Sequence, residues 1–162
     1  MKHILSVLVN NHAGVLSRVS GLFSRRGFNI DSLAVGVTND PNISRMTIVV
    51  ESDENTIDQV QKQLAKLIDV IKVKKLDTDN SVHRELALFK VQADTTIRSE
   101  IMQIAEVFRA SIVDISKTTL TIEISGSEKK VDAMQAMLQP FGILEDVRTG
   151  IISLERGAKT II

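Results

Sequence analysis

The sequence contains no cysteine, no tryptophan and no tyrosine, and only two of its 162 residues are proline. Without cysteine there can be no disulfide bond, thiol nucleophile or cysteine-ligated zinc site. Basic and acidic residues number 20 each, so the net charge is zero and neither nucleic acid nor an anionic membrane is expected as a partner. No apolar run approaches the roughly 20 residues that a membrane span needs. The N-terminus also lacks the apolar region of a signal peptide, so we expect a cytoplasmic protein.

The first half of the chain follows the order βαββαβ. Apolar and β-branched runs predict strands at Ile4–Val9, Phe28–Val37, Arg45–Val50 and Val70–Leu76. Apolar residues at helical spacing predict one helix from Val15 to Gly27 and a second behind the N-cap candidates Ser52 and Asp53. This order is that of the ferredoxin-like split βαβ unit.

The second half repeats the order after a polar linker, Asp77–Ser81. It predicts strands at Leu86–Val91, Ile112–Ile115, Leu120–Ile124 and Ile143–Val147, with a further strand at Ile151–Leu154. Helices are predicted over Ile97–Phe108 and from the cap Ser127 to Pro140 and Gly142. We therefore predict an α+β protein of two ferredoxin-like βαββαβ units in tandem, residues 1–77 and 78–162.

The loop between the first strand and the first helix has the chemistry of a small-anion site. The first N–H groups of a helix lack intrahelical partners, and the helix dipole favours a negative charge there. Gly14 would let a ligand approach the backbone, and the Asn11 amide could bind an ammonium or carboxylate group. Val15 and Leu16 add apolar surface, which suits a free aliphatic amino acid. The same residues also fit an asparagine cap followed by a glycine turn, without any ligand.

Two motifs give this half of the chain a family resemblance. Asn11, Gly14, Leu16 and Arg18 match the ACT-domain signature, a strand followed by N-x-x-G-x-L-x-R. The runs Gly21–Leu33 and Ser44–Ile48 resemble the small regulatory subunit of acetolactate (acetohydroxyacid) synthase in particular. The resemblance extends from Ile4 to about Arg156 and is much more specific in the first half.

This resemblance implies a regulatory subunit without an active site of its own. The ACT domain, residues 1–77, would form a homodimer and bind a branched-chain amino acid, most often valine, at the dimer interface. The implied effector site consists of Asn11, Ala13, Gly14, Val15 and Leu16, together with Asn29 and Ile30 of the partner chain. Residues 78–162 would activate the large catalytic subunit. Thiamin diphosphate, magnesium and FAD would belong to that subunit, and none of them to this chain.

The second unit lacks the glycine loop. After Val91 it has Gln92-Ala93-Asp94-Thr95-Thr96, so we predict no equivalent ligand site there.

Two other functional classes fit the sequence less well. His3, His12 and His83 have no metal-ligand spacing, and a catalytic site needs convergent partners. An RNA recognition motif shares the βαββαβ order, and Arg26-Gly27-Phe28 imitates the start of its RNP1 motif. That run falls on the second strand rather than the third, however, and the stacking aromatics do not follow.

A third alternative remains within the ACT class. A tandem-ACT sensor that regulates a different enzyme or gene expression would share the architecture and could bind another amino acid. The match at Arg26–Leu33 favours the acetolactate synthase family over it.

Overall fold

The structure is a computed structural model that describes all 162 residues, and its chain forms two compact units. The first unit comprises residues 1–83 and 151–162, and the second comprises residues 84–150. The elements of the first unit follow the predicted order: β1 (Lys2–Asn10), α1 (Val15–Arg25), β2 (Ile30–Val37), β3 (Ile43–Glu51), α2 (Glu54–Ala65) and β4 (Val70–Leu76). The four strands are antiparallel neighbours in the order β2-β3-β1-β4, so β2 and β4 are the edges.

The core of the first unit explains this arrangement. Alternate residues of a strand point to opposite faces, and one face of the central strands is apolar except at its ends, where His3 and Ser44 lie. Leu5, Val7 and Val9 of β1 pack there against the apolar sides of α1 and α2, which contribute Val19, Phe23, Ile57 and Leu64. The spacing of these helix residues is that of an amphipathic helix.

The predicted ends of the first helix and second strand need a small correction. The sequence predicts a strand from Phe28, but β2 begins at Ile30. Gly27 adopts φ +70°, and the Phe28 N–H donates to the Phe23 carbonyl at 3.0 Å. This is the glycine-based termination of an α-helix, so Phe28 takes part in the cap that ends α1 rather than in β2.

The second unit repeats the fold. It contains most of β5 (Ser81–Gln92), whose first three residues belong to the first unit, and α3 (Arg98–Val107), β6 (Ser111–Ile115), β7 (Thr119–Gly126), α4 (Glu128–Leu138), a short 3₁₀ helix (Gln139–Phe141) and β8 (Ile143–Arg148). Its strand order is β6-β7-β5-β8. Phe89, Ile122, Ile101 and Met134 are fully buried between the sheet and the helices. Two ferredoxin-like units in tandem are thus confirmed.

Two features of the chain after Leu76 differ from the predicted boundaries. β5 begins at Ser81 rather than Leu86, so the polar linker is shorter than its composition indicates. The final strand, β9 (Ile152–Glu155), pairs with β5, and residues 151–162 group with the first unit rather than the second. The reason is apolar burial: Ile151 packs in a cluster with Ile4, Val49 and Leu76 of the first unit.

Candidate functional site

The loop from Asn10 to Gly14 joins β1 to α1 and leaves the start of α1 open. Gly14 is the N-cap residue, with φ +86° and ψ −12°, and no side chain caps the helix. The first turn carries no acidic residue. The first N–H groups of α1 are therefore available to an anion, since a helix cannot satisfy them internally.

Asn11 is not a helix cap in this structure. Its side-chain Nδ2 donates to the Pro41 carbonyl at 2.9 Å, and its backbone N–H donates to the Asn42 carbonyl at 2.8 Å. Both acceptors lie in the turn between β2 and β3. The capping alternative is therefore wrong for Asn11, which instead fastens the loop to the β2–β3 hairpin.

Gly14 faces the guanidinium group of Arg18. A Cβ atom placed on Gly14 would lie 3.7 Å from Arg18 Nη2 and 4.0 Å from its Cζ. Any ligand that approaches the Gly14 backbone from this side would therefore meet a positive charge. A cation so close to a helix N-terminus is unfavourable by itself, because it opposes the helix dipole.

The counter-charge to Arg18 is a buried aspartate from another element. Asp69, directly before β4, is only 7% exposed. Its carboxylate forms a salt bridge with Arg18 Nη1 through one oxygen and lies 3.0 Å from His12 Nε2 through the other. The Asp69 carbonyl also accepts the Asn10 N–H at 2.9 Å. One residue thus contacts the start of the loop, His12 within it and Arg18 of α1.

Sequence reasoning missed Asp69 completely. It lies 51 residues from Arg18 in the chain, and it belongs to no motif that the sequence displays. The only signal was indirect: Arg18 is part of the ACT signature, and a cation held near a helix start calls for an anion.

The remaining residues of the predicted loop site contribute in different ways. Ala13 and Leu16 are exposed. Val15 is buried in the core of the first unit, so it can offer a ligand its backbone N–H but not its side chain. The predicted apolar contact would therefore come from Leu16.

Asn29 and Ile30 are far from this loop within one chain. Ile30 pairs with Val50 at one end of β3, whereas Val37 pairs with Ser44 at the other end, next to the pair of Asn10 with Ile43. The eight residues from Ile30 to Val37 span about 23 Å at the usual strand rise. A single chain therefore does not bring Asn29 or Ile30 to the loop.

The corresponding position in the second unit is already occupied by a carboxylate. Asp94 precedes α3, and its side chain accepts hydrogen bonds from the N–H groups of Thr96, at 2.8 Å, and Ile97, at 3.2 Å. The Thr96 hydroxyl also donates to it, and these bonds lower the pKa of Asp94. An incoming anion would meet a like charge here, in contrast to the open start of α1.

The histidines hold loops rather than form a reactive cluster. His3 Nε2 lies 3.0 Å from the Ser52 carbonyl, and His83 Nδ1 lies 2.7 Å from Ser153 Oγ. No group of three or more histidine, aspartate or glutamate side chains is placed to hold a metal ion. None of the helices combines the length and the apolar character of a membrane span.

Comparison with known families covers both units. Residues 5–72 match the AHAS small subunit-like ACT domain, and residues 84–157 match the small subunit of acetolactate synthase. The acetolactate synthase small subunit of Mycolicibacterium smegmatis is 52% identical over 159 residues, covering 98% of this chain and 94% of that one. A probable acetolactate synthase small subunit of Archaeoglobus fulgidus is 51% identical, with coverage of 98% and 99%.

A solved structure supports the same relationship. The crystal structure of the acetolactate synthase small subunit from Thermotoga maritima is similar with a TM-score of 0.92 and 43% identity, over 97% of this chain and 98% of that one. These matches confirm the resemblance inferred from the loop and from Gly21–Leu33, against a tandem-ACT regulator of another system. The chain belongs to the family of acetolactate synthase small subunits, the regulatory partners of a catalytic subunit.

Proposed function

We propose that this protein activates the catalytic subunit of acetolactate synthase and mediates its feedback inhibition by a branched-chain amino acid, with valine as the first candidate. The carrying observation is the open, uncapped start of α1 at Gly14, beside the Arg18 guanidinium. The second unit has the same fold but fills the equivalent position with Asp94. The contrast favours one effector site per chain, in the first unit.

The effector would use both of its charged groups. Its carboxylate would accept hydrogen bonds from the N–H groups at Gly14, Val15 and Leu16 and interact with Arg18, as anions do at helix starts. The side chain of Leu16 would cover part of an aliphatic side chain. The ammonium group would need carbonyl acceptors, which asparagine side chains can supply.

A dimer would supply the rest of the site. β2 is an edge strand with unpaired backbone groups, and such edges pair readily with a second chain. If two β2 strands pair antiparallel across a twofold axis, Asn29 and Ile30 of one chain lie beside the Val37 end of its partner. That end adjoins the partner's loop. This geometry gives Asn29 and Ile30 a role that they cannot have within one chain.

Regulation would then depend on a difference in affinity. An effector shifts the complex towards a less active state only if it binds that state more tightly, and typical coupling is about 1–3 kcal/mol. We assign thiamin diphosphate, magnesium and FAD to the catalytic subunit. We assign effector binding to residues 1–77, activation to residues 78–162, and the assembly to the cytoplasm.

Calorimetric titration tests this proposal directly. The purified protein should bind valine, leucine or isoleucine with a stoichiometry of one or fewer per chain, and the same amino acid should inhibit the complex with the catalytic subunit. The D-enantiomer of the best ligand is the matched control, because it places the same groups in the wrong arrangement. Absence of binding by all three amino acids, with and without the catalytic subunit, would refute the effector role.

A further inference from the structure

The second unit has an apolar cleft between α3 and α4. Its volume is about 550 Å³ and it is open to solvent. The walls are formed mainly by Ile104, Val107, Phe108, Met137, Pro140 and Phe141. Val107, Met137 and Pro140 lie outside the core that α3 and α4 build against the sheet, whereas Ile104, Phe108 and Phe141 are partly buried and pack against it. That core uses Ile101, Ala105, Met134 and Leu138.

Two of the apolar side chains in this cleft are exposed to solvent. Val107 is 80% exposed and Met137 is 50% exposed. Single exposed apolar residues are common, but a contiguous apolar patch on a helical surface usually marks an interaction site. Methionine and phenylalanine are also enriched in the buried centres of protein interfaces.

The first unit provides an internal comparison. It has the same fold, yet the exposed residues of its helices are mainly polar: α2 exposes Glu54, Asp58 and Lys62, and α1 exposes Ser17 and Arg25 beside one apolar residue, Leu16. The fold therefore does not require an apolar outer surface on its helices.

The charge of the cleft limits what can occupy it. Glu100 is the single charged residue in its lining, and neither lysine nor arginine is present there. A second copy docked on the same cleft across a twofold axis would bring its own Glu100 into the interface, without a basic residue from either lining to balance the two charges. A small apolar ligand would remain largely exposed in so open a cleft. An elongated partner with an apolar stripe and a basic residue fits both the open shape of the cleft and the negative charge of Glu100.

We propose that this cleft binds an amphipathic helix of the catalytic subunit. Two helices side by side form a groove into which a third can lay its apolar face. Val107 and Met137 would be covered by apolar residues of that helix, and a lysine or arginine would lie opposite Glu100. This inference rests on the proposed activating role of the second unit and names its contact surface, and it is independent of effector binding.

The central test places a charge inside the cleft. Val107→Glu and Met137→Glu should each raise the dissociation constant for the catalytic subunit about 10- to 100-fold, as expected for central interface residues. Ile68→Glu is the matched control, since Ile68 is an 89% exposed isoleucine in the first unit. It should leave the dissociation constant within about threefold. Sedimentation velocity with purified subunits gives the three values.

A charge reversal separates electrostatic from apolar contributions. Glu100→Lys should weaken association about tenfold at low salt, and the loss should shrink as salt is raised. Glu106→Lys, on the same helix but outside the cleft lining, should have a much smaller effect. Retained circular dichroism would show that each variant is folded.

Three outcomes would overturn the proposal. The first is association of Val107→Glu and Met137→Glu at wild-type strength. The second is an equal loss in Ile68→Glu. The third is a loss of self-association alone, which would assign the cleft to a second copy. Calorimetry with valine on the same proteins distinguishes this proposal from the proposed effector role. If valine does not bind, the predicted loss of subunit association still tests the cleft.

Discussion

Gly14 combines a backbone requirement with a requirement for space. Its φ of +86° lies in the left-handed region, where a residue with a Cβ atom pays roughly 1–2 kcal/mol. A Cβ itself would fit, since its nearest neighbour would be Arg18 Nη2 at 3.7 Å. Larger side chains would extend into the volume in which we place the effector carboxylate. Glycine is therefore favoured here by conformation and by ligand access together.

Gly14→Asp should abolish effector binding. The new carboxylate would lie within reach of Arg18 and occupy the proposed anion position, so valine affinity measured by calorimetry should fall by about two orders of magnitude or more. Gly157→Asp is the control, because Gly157 also has a positive φ, of +71°, and open space around it. It introduces the same charge and similar backbone strain elsewhere.

Subunit association adds a second control for this variant. Gly14→Asp should still bind the catalytic subunit, because the change lies in the first unit and in a loop. Valine binding by Gly14→Asp at wild-type affinity would place the effector elsewhere. A similar loss in Gly157→Asp would show that strain or charge alone is responsible.

At this scale the sequence was informative about types of residue but not about their partners. The loop glycine and its open helix start follow from the motif. The tie from Asn11 to Pro41 depends on how β1 pairs with β3, and the buried Asp69 between His12 and Arg18 depends on how β1 pairs with β4. Such contacts link residues 30 and 51 positions apart, and no local pattern records them.

The two edge strands of the first sheet differ in charge. β4 carries Lys72, Lys74 and Lys75, and charged edge strands resist pairing with another sheet. β2 has one charged residue, Asp31, and leaves Val35 and Val37 half-exposed. Both valines lie on the helix-covered face, since they pair with Met46 and Ser44. Of the two edges, β2 is the one suited to a dimer.

The double variant Val35→Lys/Val37→Lys should therefore dissociate the dimer that we propose to form through β2. The two lysines of each chain would bring four positive charges into one strand pair and remove apolar contact, so the dissociation constant of this dimer should rise at least tenfold in sedimentation equilibrium. Valine binding should weaken in parallel, because Asn29 and Ile30 of the partner would be lost. Ile71→Lys on β4 is the control, with similar exposure at the opposite edge. Dissociation by the control variant instead would assign the interface to β4.

The start of α2 makes a prediction about pH. The Asp53 carboxylate accepts hydrogen bonds from the Thr56 N–H, at 2.8 Å, and from its hydroxyl, at 2.9 Å, which lower the pKa of Asp53. Because the pKa of Asp53 is lower in the folded protein than in the unfolded chain, this cap stabilises the fold at pH values above the ordinary aspartate pKa. The stabilisation is lost as the pH falls through the lowered value.

Melting temperatures from about pH 7 to about pH 3 test this cap. Asp53→Asn retains a neutral cap, so its melting temperature should lie a few degrees below wild type at neutral pH and approach it in acid. Asp58→Asn, on the same helix but away from the cap, should not show this convergence. A wild-type advantage that is constant with pH would refute the ionised cap.

Element types were predictable because each depends on periodicity and local capping. Asp53 and Ser127 accept the N–H groups of Thr56 and Lys130 at the predicted helix starts. The errors are at the ends of elements. β2 starts later than predicted because the Phe28 N–H still bonds to α1. The start of β5 lies before the predicted one, because its first residues are mostly polar and give no apolar pattern. Strand pairing, rather than apolar pattern, decides the start of β5.

At the scale of the whole molecule, the chain order does not decide which unit owns a segment. Residues 151–162 follow the second unit in sequence but complete the first. Ile151 packs against Ile4, Val49 and Leu76, and Lys74 Nζ lies 2.6 Å from Glu155 Oε2. The alternation of apolar residues predicts that the segment is a strand, but it does not indicate which unit the strand will pack against.

Neighbouring isoleucines provide a matched test of this packing. Ile151 is 9% exposed, whereas Ile152 is 56% exposed. Ile151→Ala should lower the free energy of unfolding by about 2–4 kcal/mol, because it removes buried methyl groups and leaves a cavity. Ile152→Ala should change it by about 0.5 kcal/mol or less. Urea denaturation measures both, and equal effects would show that the segment does not cover this cluster.

The same packing changes how the division of labour between the units should be tested. A fragment that ends after Thr78 also loses residues 151–162, so it leaves Ile4, Val49 and Leu76 uncovered. With that fragment, a loss of valine binding through instability is indistinguishable from loss of the effector site. A better variant replaces residues 84–150 with a short glycine-serine linker. His83 and Ser153 are already in contact, at 2.7 Å, so a few residues suffice to join them.

This internally deleted protein retains the complete first unit and lacks the α3–α4 cleft. It should bind valine with an affinity within about threefold of wild type, since Gly14, Arg18 and Asp69 are unchanged. It should not raise the activity of the catalytic subunit, because the proposed contact surface is absent. Calorimetry and an activation assay on one preparation give both results. Full activation by this variant would move the activating surface to the first unit, and it would remove the physical reason for a second unit with an apolar cleft.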